Sequence, residues 1–247
     1  MHFSWFHLIP ALEGYPDHVL TAGLCTLVIV ILSLTAYAVA GKPEEALLPD
    51  QKLTLKNFFE FITESLCGFV ESVMGHGSEK YIPIVGTMFI YILVNNLMGL
   101  LPGFSPATDN LNTTLSIGVF VFFLYNTMGF REHGVKYVKH FFGPSIVPMP
   151  ESNFILQTVA GVTIFGLGVF FLLIESVSHA VRPMSLGLRL YGNMTGDHTV
   201  LSIFLNLVPI GIPMIFYLLG LFVCFVQAFV FSLLSMVYIS MATAHDH

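Results

Sequence analysis

The sequence predicts an all-α membrane protein of about five transmembrane helices plus one interfacial amphipathic helix, in a single integral membrane domain over 1–247. Three observations predict it. Of 247 residues, 55% are hydrophobic and only 10% charged, whereas soluble domains carry about 25% charged residues. Apolar runs long enough to cross hydrocarbon, which takes about 20 residues, alternate with short polar breaks, and the mean hydropathy is +0.81. The nine basic residues, Lys42, Lys52, Lys56, Lys80, Arg131, Lys136, Lys139, Arg182 and Arg189, gather in or beside those breaks, and only Arg189 lies well inside an apolar run.

Taken in order, residues 1–17 are short, with Trp5 and Tyr15 as interface anchors. The first span is 18–40, uncharged after His18 and stopped by Gly41-Lys42-Pro43. Residues 54–74 differ: apolar Phe58, Ile62, Leu66, Phe69 and Val73 mark a helical face, set among Lys56, Glu60, Glu64 and Glu71. Four charges argue against a span, so this helix lies in the interface or across other helices. Its Glu residues read as a solvated face rather than a proton path. A helical hairpin follows, 81–101 and 113–130, around an outer loop at Phe104–Asn112 that has no Lys or Arg. Phe141–Pro150 is a Pro-rich connector. Residues 152–207 are mostly apolar but interrupted at Arg182-Pro183, and periodicity alone suggests two short helices there. After the turn at Val208–Pro213 comes the last helix, 212–242, and a polar tail with His245 and His247. The basic residues at 42–56 and 131–139 flank one side of the membrane, so the positive-inside rule places the N-terminus outside and the C-terminus in the cytoplasm.

Several classes are excluded. A net charge of −6 without a basic stripe argues against nucleic acid. Cys25, Cys67 and Cys224 share no metal-ligand spacing and read as small buried hydrophobes. No n-region of a cleavable signal precedes Pro10, and no phosphate-binding loop occurs, so neither a cofactor nor a catalytic activity of its own is expected.

Arg189 is the focal residue. Its guanidinium stays charged at any ordinary pH, and a charge at the centre of a membrane helix costs about 3 kcal/mol on insertion scales. Such a residue faces a protein interior or water path with an opposite charge nearby, or it snorkels to the headgroups from near a helix end. The late helices also hold Glu175, His179, Ser185, Asn193, Asp197, His198, Asn206, Gln227, Ser232 and Ser235. At ~100° per residue, Glu175 and Asn193 each fall within ~40° of Arg189 on the helix surface, and Tyr238 falls within ~20° of Gln227. Protons cross hydrocarbon on groups such as His, Glu and Asp, whereas a permanent cation blocks direct passage and favours an ionised carboxylate opposite it. Asn206 and Ser232 read as interhelical hydrogen bonds, and His179 as either a path member or an edge histidine.

Ser185-Leu186-Gly187-Leu188-Arg189-Leu190-Tyr191-Gly192-Asn193-Met194 resembles the signature of subunit a of F-type ATP synthases. Asn95-Asn96-Leu97-Met98-Gly99-Leu100-Leu101-Pro102 and Asn112-Thr113-Thr114-Leu115 are similar to the same family at the corresponding places. The resemblance implies one long, tilted, kinked helix over 152–207, packed with the last helix against a ring of c subunits. It implies two aqueous half-channels to the ring carboxylate, with Arg189 separating them and Asn193 as a polar neighbour. Glu175, with Ser178 and Ser185 beside it, falls on the inside half-channel, to which His179 belongs if it is a path member, and Gln227 matches a last-helix glutamine near the Arg. His198 occupies a position where relatives carry Glu or His. Where some relatives place an acid or His seven positions before the glutamine, this chain has Gly220, so the outside half-channel is assigned to His198 with Asp197, Asp109 and Asn112. The implied partners are the c-ring, peripheral-stalk b subunits, the rest of the complex, the bilayer and protons, in a bacterial inner membrane. A Na⁺-translocating version of the subunit and a stand-alone secondary transporter are the alternatives, though no internal repeat supports the latter.

Overall fold

The computed structural model describes residues 5–8, 14–40, 54–75, 77–101, 103–134, 137, 154–207 and 211–243. Among these stand six α-helices and no strand: α1 (Asp17–Ala40), α2 (Leu55–Met74), α3 (Ile82–Met98), α4 (Leu111–His133), α5 (Phe154–Leu207) and α6 (Ile212–Thr243). All except α2 contain a stretch long and apolar enough to cross a membrane. The chain is an all-helical integral membrane protein. The stop at Gly41-Lys42-Pro43, the connector at 141–150, the turn residues 208–210 and His245 and His247 lie outside the described residues, as do Lys52, Lys136 and Lys139.

The amphipathic α2 begins at Thr54, whose hydroxyl accepts the Asn57 N–H at 3.5 Å, and its second half docks on α6. Val70 is buried and Phe69 stacks on Phe229 with centroids 4.5 Å apart. Phe58 does not join that face: it is exposed, with Leu55 and Phe61.

The hairpin boundaries move by a few residues, each for a local reason. Helix α3 ends at Met98, where the Gly99 N–H turns back to Asn96 O at 3.1 Å. Helix α4 starts at Leu111 because Asn110, in extended conformation, caps it and accepts the Asn112 N–H at 2.9 Å. Asn112 therefore belongs to a first helical turn and not to the outer loop. Gly129 does not stop α4, which runs on until Gly134 turns the chain at φ 56°.

The loop end of the α3–α4 hairpin is tied to the N-terminal segment. The Trp5 N–H bonds Gly103 O at 3.2 Å, and the Phe6 and Phe104 rings meet edge to face. Buried Thr108 donates to Asn96 Oδ1 at 2.8 Å, fastening the loop to α3. At the opposite end, Lys80 reaches Glu132 at 3.5 Å, so the start of α3 and the end of α4 share a side with Arg131.

Helix α5 runs unbroken through 54 residues with Pro183 inside it, so the two-helix periodicity reading gives way. Proline cannot donate to the carbonyl four residues earlier, and tertiary packing holds the helix through that gap. The partner is α4, at backbone distance. Gly118 abuts the Pro183 carbonyl, and a Cβ on Gly187 would stand 3.0 Å from Leu115 Cα. Small residues at such crossings drive helix association in lipid, where close van der Waals packing replaces the hydrophobic effect. Leu186, Leu190, Met194 and Leu201 form the buried stripe of α5, one turn apart through Met194, facing a core that includes Val121, Cys224 and Phe231. Helix α6 lies antiparallel to α5 in fixed register: Arg182 stands over Tyr238, Asn193 meets Gln227, and Phe204 stacks on Phe216.

Candidate functional site

The polar residues of α5 and α6 separate into three groups along the membrane normal. In the middle, Arg189 and Asn193 lie on a face of α5 that is open in the isolated chain, next to Gly192 and Gly196. The buried stripe at 186, 190 and 194 faces α4 and α6, and this fixes the outward direction of Arg189. Among the described residues Arg189 forms no ion pair. Asn193 Nδ2 donates to Gln227 Oε1 at 2.6 Å across the helix seam, and Gln227 is buried.

Toward the Lys80 end lies the second group. Glu175 Oε1 is 3.2 Å from His179 Nε2 and 4.0 Å from Arg182 Nη2. The His179 ring is buried against α4, where Tyr125 Oη stands 3.0 Å from Nδ1. Arg182 lies 5.5 Å from the Tyr238 ring centroid. His179 is thus a cross-helix contact rather than an edge histidine. Glu175 and Arg189, expected on one face, are fourteen positions apart and so separated by about 21 Å of helix. Glu175 meets Arg182 instead. Ser178 and Ser185 sit half-buried on the same helix between these groups.

The third group lies toward the outer loop. Asp197 faces α6, where a Cβ on Gly220 would come within 2.7 Å of Asp197 Oδ2 and 2.8 Å of Leu100 Cδ2. Gly220 therefore provides the space that the Asp197 carboxylate fills. His198 points the other way: a Cβ on Gly99 would lie 2.6 Å from its Nε2 and 2.7 Å from Pro106 Cγ. Asp109 comes in from the loop and accepts a hydrogen bond from Thr195, fixing the loop one turn below the Asp197–His198 pair. Between α5 and α6 a groove of about 420 Å³ is lined by Asn193, Asp197 and Gln227 together with Val200, Leu219 and Phe222.

Asn112 is not brought to this group. It lines a separate groove of about 830 Å³ between α1, α3 and α4, with His18, Thr87 and Tyr91. Asn206 bonds to Ser202 O of its own helix at 2.9 Å, which corrects its reading as an interhelical bond. Ser232 is fully buried on α6, and its hydroxyl meets no hydrogen-bond partner among the described residues, which corrects its reading as an interhelical bond as well. Sequence reasoning missed Tyr125, Thr195 and the pairing role of Arg182. Only the charge of Arg182 was visible as a signal, since the partners of Tyr125 and Thr195 are 54 and 86 residues away.

An all-helical membrane protein with an outward cation between two titratable clusters belongs to the class of ion-translocating membrane subunits. The family model of the ATP synthase A chain matches residues 22–240, and this chain belongs to that family. It is 48% identical over 248 residues to ATP synthase subunit a of Bdellovibrio bacteriovorus, covering all of both chains. Against ATP synthase subunit a 2 of Syntrophotalea carbinolica it is 36% identical over 247 residues, covering all of this chain and 94% of the relative. Against ATP synthase subunit a of Geobacter sulfurreducens it is 37% identical over 236 residues, covering 94% of this chain and 93% of the relative.

Proposed function

We propose that this chain is the proton-translocating stator subunit of a rotary F-type ATP synthase, joining the proton motive force to ATP synthesis without a catalytic centre of its own. The observation that carries the reading is Arg189: a fixed cation on an open face of a membrane helix, with no ion pair among the described residues. Such a charge calls for an anionic partner from outside the chain. The carboxylate of a rotating c-ring meets that need, and Arg189 favours its ionised form as it passes. Family membership sets aside a stand-alone secondary transporter, and nothing specific favours Na⁺ over H⁺.

Residue roles follow from position. Glu175 and His179, with Ser178 and Ser185 beside them, form the inside half-channel. Asp197, His198 and Asp109 form the outside one, reaching the ring along the groove that Asn193 and Gln227 line. Asn112, on its separate groove, is left off that path. Arg189 stands about 21 Å from Glu175 and about 13 Å from His198 along the helix, and blocks a direct proton path between them. Partners on the remaining lipid-level surface are the peripheral-stalk b subunits and the rest of the complex, with 1–247 acting as one membrane domain. Lys80, Arg131 and Glu132 gather at one end while the loop at 103–110 marks the other, which supports a cytoplasmic C-terminus and an outside N-terminus in a bacterial inner membrane.

The test is proton flux in membrane vesicles carrying assembled Arg189→Ala complexes. Lost ATP-driven pumping with retained or increased passive leak is expected. Unchanged pumping would remove Arg189 as the separator and the reading with it.

A further inference from the structure

Buried contacts join α4 and α5 at a single histidine. The ring of Tyr125 is 1% exposed and His179 is 8% exposed. The Tyr125 hydroxyl lies 3.0 Å from His179 Nδ1, and Nε2 of the same imidazole lies 3.2 Å from Glu175 Oε1. Behind them, the Tyr125 and Tyr238 rings stand 6.1 Å apart, and the Arg182 guanidinium reaches toward both Tyr238 and the Glu175 carboxylate. Tyr137, whose hydroxyl donates to Asn126 Oδ1 at 3.2 Å, adds one more phenol on the α4 side.

A buried tyrosine hydroxyl takes a hydrogen-bond partner, and a neutral imidazole has one donor and one acceptor nitrogen. A hydroxyl that donates to Nδ1 leaves the ring proton on Nε2, aimed at Glu175. Removing that hydroxyl frees the imidazole to exchange tautomers and to turn.

We propose that Tyr125 is a positioning residue of the inside half-channel: it holds His179 in the orientation and tautomer whose Nε2 serves Glu175, and so sets the pH dependence of pumping through that half-channel. The proposal rests on the reading that Glu175 lies on that half-channel. Tyr125 touches neither the ring carboxylate nor the translocated proton; its hydroxyl also lies beside Asn126 and Arg182, and the double variant separates that route from the one through His179. The titratable and charged groups about the imidazole are Tyr125 from α4 and Glu175 and Arg182 on α5, with Tyr238 of α6 behind Tyr125 and Tyr137 beside Asn126 on the α4 side.

The experiment is ATP-driven proton pumping by the whole complex in inverted membrane vesicles, measured against the pH of the medium, which bathes the inside half-channel. Wild type, Tyr125→Phe, His179→Gln, the double variant and Glu175→Gln are compared. Phenylalanine keeps the buried ring and removes only the hydroxyl. Tyr125→Phe is expected to pump within about threefold of wild type at its own optimum, with the pH of half-maximal pumping displaced by about one unit, the scale of one lost hydrogen bond. In the His179→Gln background, the same substitution is expected to add no further displacement. A Tyr125→Phe profile that superimposes on wild type, or an equal displacement without His179, overturns the positioning role. If Glu175→Gln is impaired in those same preparations, the half-channel reading survives that result. Unimpaired Glu175→Gln removes the half-channel reading and this proposal together. Should Tyr125→Phe fail to assemble, His179→Gln alone decides: its amide does not titrate, so the same limb of the profile must flatten, and an unchanged limb overturns the proposal.

Discussion

The two ends of the α5–α6 seam achieve polarity inside a membrane by opposite means. At the Glu175 end side chains have been added: Glu175, His179, Arg182, Tyr125 and Tyr238 contact one another across three helices. At the Asp197 end side chains have been taken away: Asp197 fills the space left by Gly220, and His198 the space left by Gly99. An extra methyl in a carved seat forces neighbours to move, whereas the loss of one member of a buried network leaves its partners unpaired.

Variants test that contrast, beginning with the largest effect. Arg189→Ala, between the two ends, is expected to reduce ATP-driven pumping to background in assembled complexes, read by vesicle acidification. Gly99→Ala comes next. Its methyl group would press on His198 and on the stiff Pro106 ring together, at a cost of about 1–3 kcal/mol, and the expected result is a reduced yield of assembled complex on native gels. In Gly220→Ala the obstructing atoms are the mobile ends of Asp197 and Leu100, so assembly is retained. Pumping should slow roughly tenfold as the carboxylate is displaced, and a rate equal to wild type would show that the seat is not needed. Gln227→Leu breaks one interhelical hydrogen bond, a loss of about 0.6–2 kcal/mol in a membrane bundle, measurable as a lower unfolding temperature in detergent. Asn112→Ala is expected to leave pumping within about twofold of wild type, as an exposed substitution normally does. A larger loss would bring the groove between α1, α3 and α4 into the outer path.

Much of this organisation is legible in the sequence, and the physics says which part. Lipid requires each spanning segment to satisfy its own backbone, so apolar length alone announces α1, α3, α4 and α6. The alternation of Ile62, Leu66, Phe69 and Val73 with glutamates sets α2 apart, and Arg189 stands out by its cost. Continuity through Pro183 was not legible from periodicity, because it depends on Gly118 of another helix reaching the Pro183 carbonyl. Tyr125 was hidden in the run Phe120-Val121-Phe122-Phe123-Leu124, where nothing local distinguishes a ring with a polar task from its neighbours. The departure at Gly220 was visible as a missing acid. Its meaning, that Asp197 occupies the vacated space from the opposite helix, required the register of α5 against α6.

That register has a consequence of its own. The paired positions 182, 193 and 204 on α5 recur every eleven residues, as do 216, 227 and 238 on α6. Eleven residues complete almost a whole number of turns, about 3.67 residues to each, slightly longer than the natural helical turn. The two helices can thus keep these pairs in contact with only a slight right-handed coil. A single inserted or deleted residue at the middle of either helix would swing everything beyond it by about 100°. It would part Arg182 from Tyr238 or Phe204 from Phe216 in one stroke. The hairpin behaves as a ruler whose graduations are these pairs, and its length is the least negotiable quantity in the protein.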